Sequence, residues 1–292
     1  MMRCSNLGCF AAVVLLGSGC QQILGIEDVV EREETPDASG GTGPGEDDGG
    51  ADTGPSVDID WVELEGGTFF MGSDDEDASV DEIPVREVTL SAFELAQTET
   101  TVAQYEACVD AGECEEPGTF SACNWGVSDR ADHPINCVSW HDATDFCEFA
   151  GGRLPTEAER EYAARSGGRD WKYLWGNEDA TCDRAVMNQD SGTEGRGCGE
   201  GATWPVCSKP AGDSEQGICD LAGNVWEWVD NWYGDYPSEP QVDPTGPESG
   251  SSRVVRGGSW LSGVRNLGAS NRGNVGPSGI LGALGFRCAR SP

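Results

Sequence analysis

Thirteen cysteines, two histidines and 52 acidic residues are the side chains of this 292-residue sequence most able to do chemistry. Three of the cysteines, Cys4, Cys9 and Cys20, fall in the first twenty residues, which leaves ten from Cys108 to Cys288. Thiols can ligate metal, attack carbonyls or pair. A zinc site is disfavoured: no Cys-x-x-Cys occurs, and His133 and His141, on either side of Cys137, do not form a ligand pair. An even number in an exported chain implies up to five disulfides, whose connectivity spacing alone leaves open. Ser259, Ser262 and Arg265 are the candidates for hydroxyl chemistry. Neither histidine lies near them in sequence, and a serine without a positioned base is ordinarily a hydrogen-bonding residue.

The elements that must position these groups are short. Thr101 with Gln104 forms a capping-box pattern for a helix over 102–111, stopped by Gly112, with Val102, Tyr105 and Val109 on one face. Ser139 caps a second helix over 140–150, where Ala143, Phe146, Cys147 and Ala150 recur at helical spacing. Thr156 with Glu159 opens a third that ends near Ser166-Gly167-Gly168. Trp61–Leu64, Thr68–Met71, Val85–Leu90 and Arg253–Arg256 read as strands. No internal repeat is evident. Strand runs interrupted by a few helices predict an α+β globule with long loops, organised by aromatics and disulfides.

Charge narrows the partners. The formal net charge is −34, of which −24 lies from Trp61 onward. A surface that negative repels phosphate, so nucleic acid is excluded as a partner. Residues 1–20 read as an export signal: Arg3, the apolar run Phe10–Leu16, then Gly17-Ser18-Gly19 before Cys20. The run is far shorter than the roughly 20 residues of a spanning helix. Small residues before a cysteine resemble a bacterial lipobox, with Cys20 as the lipidated residue and Gly17 where a leucine is usual. The expectation is an exported, lipid-anchored protein of the bacterial cell envelope, or otherwise a secreted one, meeting membrane through its anchor alone. Residues 21–59, acidic and rich in Gly and Pro, are expected to be a disordered stalk, and residues 60–292 the folded domain.

Six motifs in that domain occur in a familiar order. They are Gly66-Gly67-Thr68-Phe69-Phe70-Met71-Gly72-Ser73; His133-Pro134 with Val138-Ser139-Trp140; and Gly152-Arg153-Leu154-Pro155-Thr156-Glu157-Ala158-Glu159. Gly223-Asn224-Val225-Trp226-Glu227-Trp228, Arg256-Gly257-Gly258-Ser259-Trp260 and Leu284-Gly285-Phe286-Arg287 complete the set. The chain resembles the formylglycine-generating enzyme (sulfatase-modifying factor) family over residues 60–290. That resemblance implies a variant C-type-lectin-like fold with sparse secondary structure.

Active members of the family oxidise a sulfatase cysteine to formylglycine with oxygen and a copper(I) ion on two thiolates. The resemblance puts those thiolates at Ser262 and Leu267, the neighbouring histidine at Gly263 and a pocket asparagine at Ala283. Soft copper(I) wants soft sulfur, so copper is not expected. Ser259 and Trp226 keep the family's pocket residues. The resemblance also implies a Cys147–Cys288 disulfide, and puts a second family disulfide at Ala164 and Arg272, where neither partner is cysteine. For the other eight, nearness in sequence suggests Cys108–Cys114, Cys123–Cys137, Cys182–Cys198 and Cys207–Cys219. A family calcium site corresponds to Asp220, the carbonyls of Gly223 and Val225, and Glu82, all hard oxygen donors. A second loses its side-chain oxygen at Val186-Met187.

The function expected is therefore a catalytically silent relative that binds a peptide, glycan or protein in the old substrate groove. The alternative is a sulfatase-modifying oxidoreductase. Different chemistry at Ser259, Ser262 and Arg265 is a third reading, and it lacks a base.

Overall fold

The computed structural model describes residues 57–190 and 192–292, and the backbone of one short strand, β1 (Val30–Glu31). The signal segment, Cys20 and residues 21–29 and 32–56 lie outside the described residues, while Val57 and Ile59, read as the end of the stalk, pack against the core of the domain. β1 is a departure from the stalk reading: it pairs antiparallel with β10 (Gly279–Ile280), where the acidic run is broken by the apolar pair Val29-Val30. No helix among the described residues is long and apolar enough to cross a membrane.

Three small sheets carry the domain. β2 (Trp61–Leu64) and β12 (Ala289–Arg290) both pair antiparallel with β5 (Phe93–Ala96) between them. β3 (Gly67–Met71) pairs antiparallel with β4 (Arg86–Leu90), which pairs parallel with β7 (Gln241–Val242). The largest sheet runs β11 (Leu284–Phe286), β6 (Trp226–Trp232), β8 (Arg253–Arg256), β9 (Arg272–Val275), with β11 parallel to β6 and the rest antiparallel. Sparse sheets and long loops make this a variant C-type-lectin-like α+β fold, as expected.

Among the described residues the α-helices are α1 (Val102–Ala111), α2 (Trp140–Phe149) and α3 (Glu157–Ala164), each opened by a complete capping box on Thr101, Ser139 or Thr156. Gly112, at φ +78°, closes α1. On α1 the fully buried third residue is Cys108, with Val109 only packed against the core. The disulfide Cys108–Cys114 draws that side of the helix inward. Tyr105 stacks on Phe146 and meets Phe286 edge-on, so α1, α2 and β11 share one core with Trp226 and Trp228. A second core joins α3 to β3, β4 and β5 through Phe69, Leu95 and Tyr162.

α3 is buried along its whole length although half of it is charged. Glu227 explains how: it accepts two hydrogen bonds from Arg160 (2.7 and 3.0 Å) and two from Arg287 (3.0 and 2.9 Å). Glu157 is held the same way by Arg272 (2.6 and 3.0 Å), and Glu161 by Arg165 and Arg256. Burial alone would push the Glu157 and Glu227 carboxyls up, but the facing guanidiniums overcome it and hold both below the ordinary glutamate value.

Among the described residues five disulfides brace the loops: Cys108–Cys114, Cys123–Cys137, Cys147–Cys288, Cys182–Cys198 and Cys207–Cys219. All five match the expected pairings. At the place of the absent second family disulfide, Ala164 is packed in the core and Arg272 makes its fork to Glu157.

Candidate functional site

The loop after β8 is shaped by two glycines. Gly257 and Gly258 have φ of +97° and +73°. A Cβ on Gly257 would lie 2.6 Å from Arg160 Nη2, and one on Gly258 2.7 Å from the Asn266 carbonyl. Only glycine admits this backbone at that closeness. The loop then turns on its serines: Ser262 Oγ accepts from Ser259 N (3.0 Å) and lies 3.3 Å from Ser259 Oγ, which accepts from Leu261 N (3.2 Å). Both hydroxyls serve the turn, and no base touches either.

All five pocket positions named above, Trp226, Ser259, Ser262, Leu267 and Ala283, are 2 % exposed or less. Leu267 belongs to the core around α3, while Trp226 N donates to Ala283 O at 2.8 Å. Ala283 and Val186 pack behind Trp260. Arg265, the third member of the hydroxyl cluster, points elsewhere: it is exposed and donates to Asp77 O and Ser79 Oγ. Copper(I) does not fit here, since Ser262 offers a hydroxyl already used in a turn and Leu267 a hydrocarbon.

The calcium expectation needs a correction. Glu82 does not reach Asp220: on the loop before β4, its carboxylate accepts from Ser79 N (3.0 Å) and faces Asn271, which precedes β9. The carboxylates that act on Asp220 are Asp213 and Glu227, and Asp220 in turn acts on Glu99. Glu99 follows β5, which the bond from Cys219 N to Gln97 O ties to the Asp220 turn. Glu99 accepts from Asn224 Nδ2 (2.6 Å) and Val225 N (3.0 Å), holding the Gly223–Val225 backbone beside Asp220. Burial pushes the Asp220 carboxyl up to about 6 and Glu99 well above its usual range. Asp220 and Glu99, on separate segments, are both buried oxygen donors of the kind a hard cation takes, and Glu82 lies apart from them. Among the described residues no three His, Cys, Asp or Glu side chains converge as a metal-binding group. Val186 and Met187 are both buried in apolar surroundings.

Two cavities among the described residues bear on the site. One, of about 380 Å³, is bounded by the loop before β4 and the segment after α3; Asp74, Asp75, Asp77, Glu82 and Asp170 line it with Lys172 and Arg265 among them. The other, of about 360 Å³, lies beside the Gly-Gly-Ser loop and is lined by Ser121, Val127, Arg130, Thr203 and Trp260. Sequence reasoning missed this second group. Asn124, fully buried, accepts from Arg130 Nη1 (2.7 Å) and donates to Thr203 Oγ1 (3.0 Å) and Pro134 O (2.7 Å). His133 Nδ1 lies 2.9 Å from Thr203 Oγ1; burial, then the charge of Arg130, holds its pKa below the usual imidazole value.

Fold and site define a disulfide-braced, C-type-lectin-like α+β domain. The "Sulfatase-modifying factor enzyme 1-like domain" profile matches residues 54–292, and the chain belongs to the formylglycine-generating enzyme family. It is 34 % identical over 279 residues to a formylglycine-generating enzyme of Streptomyces coelicolor, covering 78 % of this chain and 88 % of that protein. It is 30 % identical over 285 residues to the "Inactive C-alpha-formylglycine-generating enzyme 2" of Mus musculus, covering 82 % and 88 %. Among solved structures, PvdO from Pseudomonas aeruginosa superposes with a TM-score of 0.67 at 25 % identity, covering 83 % of this chain and all of that one.

Proposed function

We propose that this protein is an exported, lipid-anchored member of its family that has lost copper-dependent oxidase chemistry and acts as a binding module for a peptide, glycan or protein. The observation that carries the reading is the pair Ser262 and Leu267, one a turn hydrogen-bonder and one a core residue, where the resemblance calls for two thiolates. The family includes proteins named as active and as inactive, so membership alone does not assign chemistry. The cavity beside Trp260 is the seat for the ligand. Its one cysteine, Cys123, is tied to Cys137, and its hydroxyl Thr203 is enclosed by Asn124, Arg130 and His133. The five disulfides suit an oxidising compartment outside the cytoplasm, and the anchor is assigned to Cys20 on sequence grounds. Calcium is assigned to Asp220 with the carbonyls of Gly223 and Val225, as a hard ion fixing that loop.

The decisive experiment incubates the purified chain with a sulfatase-type cysteine peptide, copper, oxygen and a reductant. The peptide is expected to stay unmodified by mass spectrometry, and aldehyde above the copper-only control would overturn the reading.

A further inference from the structure

We propose that the cavity beside Trp260 recognises a carboxylate, received by the guanidinium of Arg130; the proposal rests on that cavity being the ligand seat. The lining contains one cation and no acid, in a chain of net charge −34 whose cavity at the loop before β4 is lined by five carboxylates. Most arginines elsewhere in the domain pair with carboxylates, as Arg160 with Glu227 and Arg290 with Glu94, whereas Arg86, Arg196 and Arg265 form no ion pair among the described residues. Arg130 likewise has none. Its Nη1 donates to Asn124 Oδ1 (2.7 Å) and reaches Thr203 Oγ1 (3.3 Å), and among the described residues no carboxylate pairs with the group. A guanidinium has five N–H donors in a planar fork, so most of its donating edge is left for a ligand.

The fork is also held in place. Asn124 is itself fixed by the Pro134 carbonyl and by Asn136 Oδ1, which accepts from Asn124 N at 2.7 Å. The Cys123–Cys137 disulfide closes the loop that carries all three residues. A charge held in a partly enclosed site loses less on binding than one on a mobile surface chain. Asp129 and Asp132, the nearest acids in sequence, are exposed and do not line the cavity. Trp260 and Val127 supply an apolar wall beside the guanidinium, which suits a carboxylate on a short aliphatic or sugar-ring stem.

Two sources share that chemistry, an acidic amino-acid side chain and a uronic acid. Calorimetric titration of the full chain with N-acetylglutamate methylamide and with glucuronate separates them, and the glutamine and glucuronamide analogues serve as neutral controls. At least one acid is expected to bind about tenfold or more tightly than its amide, as a charge-assisted pair should. Arg130→Gln should make acid and amide equal, and Arg130→Lys should keep a smaller preference, since it retains charge without the fork. Thermal melts of both variants establish that they are folded. Equal binding of acid and amide, a preference that survives Arg130→Gln, or no binding of either acid would overturn the proposal. Neutral analogues that bind, and lose binding in Trp260→Ala, would leave the cavity a ligand seat and overturn the carboxylate alone.

Discussion

Glu227 sits between Arg160 and Arg287 with both carboxylate oxygens bonded to both guanidiniums, in a place none of the three shares with water. Removing its charge leaves two buried cations facing one another. Glu227→Gln is therefore expected to lower stability by about 3–5 kcal/mol, measured by urea unfolding at pH 7. Asp220 calls for a different experiment. Calcium binding to the folded chain alone should raise its melting temperature, and the rise should vanish in Asp220→Ala but persist in Glu82→Ala. A rise that needs Glu82 and not Asp220 would restore the assignment read from sequence. The structure sets Glu82 apart from Asp220, and this was illegible for a plain reason: sequence order does not say which early acid folds against Asp220. Glu82 and Glu99 both precede α1, and only the tie between Gln97 and Cys219 brings Glu99 there. Arg130, Asn124 and Thr203 were illegible for the same reason, because Thr203 meets Asn124 across 79 residues of chain.

The helices were the legible elements. A capping box spans four residues, local enough to be read: those at Thr101 and Thr156 are legible as boxes, Ser139 as a cap that Asp142 completes, and all three form with both reciprocal bonds. β2 and β8 were read to the residue, whereas β3 and β4 each shifted by one at the start. β6 was not read as a strand at all. It lies between β11 and β8 and its first four residues are all buried, so the alternation that marks a half-exposed strand is missing. β10, β11 and β12 hold only two or three residues each, too few to show a period. α3 inverts the usual rule, burying Glu157, Glu159, Arg160 and Glu161 because each finds an opposite charge. The bond from α2 to the segment between β11 and β12 spans 141 residues, and in the chain-entropy account its loss costs about 5 kcal/mol. Cys147→Ala with Cys288→Ala is expected to lower the urea midpoint accordingly. A shift no larger than that for removing Cys108–Cys114 would mean that strain or residual structure offsets the entropy.

At the scale of the whole molecule, acid and salt should act in two stages. The net charge of −34 at pH 7 repels itself, so added salt should raise the melting temperature there, as should mild acidification. Glu157 and Glu227 act in the opposite sense further down. Their folded pKa values are depressed, so their contribution is complete above the unfolded glutamate value of about 4.3 and lost as pH falls through the folded values. Thermal melts across pH should show a maximum on the acid side of neutrality and then cooperative acid unfolding. Monotonic loss from pH 7 downward would contradict this order. The sheet that holds both β2 and β12 against β5 has a mechanical consequence. A pull on the two ends of the domain peels those outer strands from opposite edges of one central strand, and on the carboxyl side it reaches Cys288 almost at once. From there tension crosses the sulfur bridge straight to Cys147, and the 141-residue span between them stays slack while the segment before α2 bears the load.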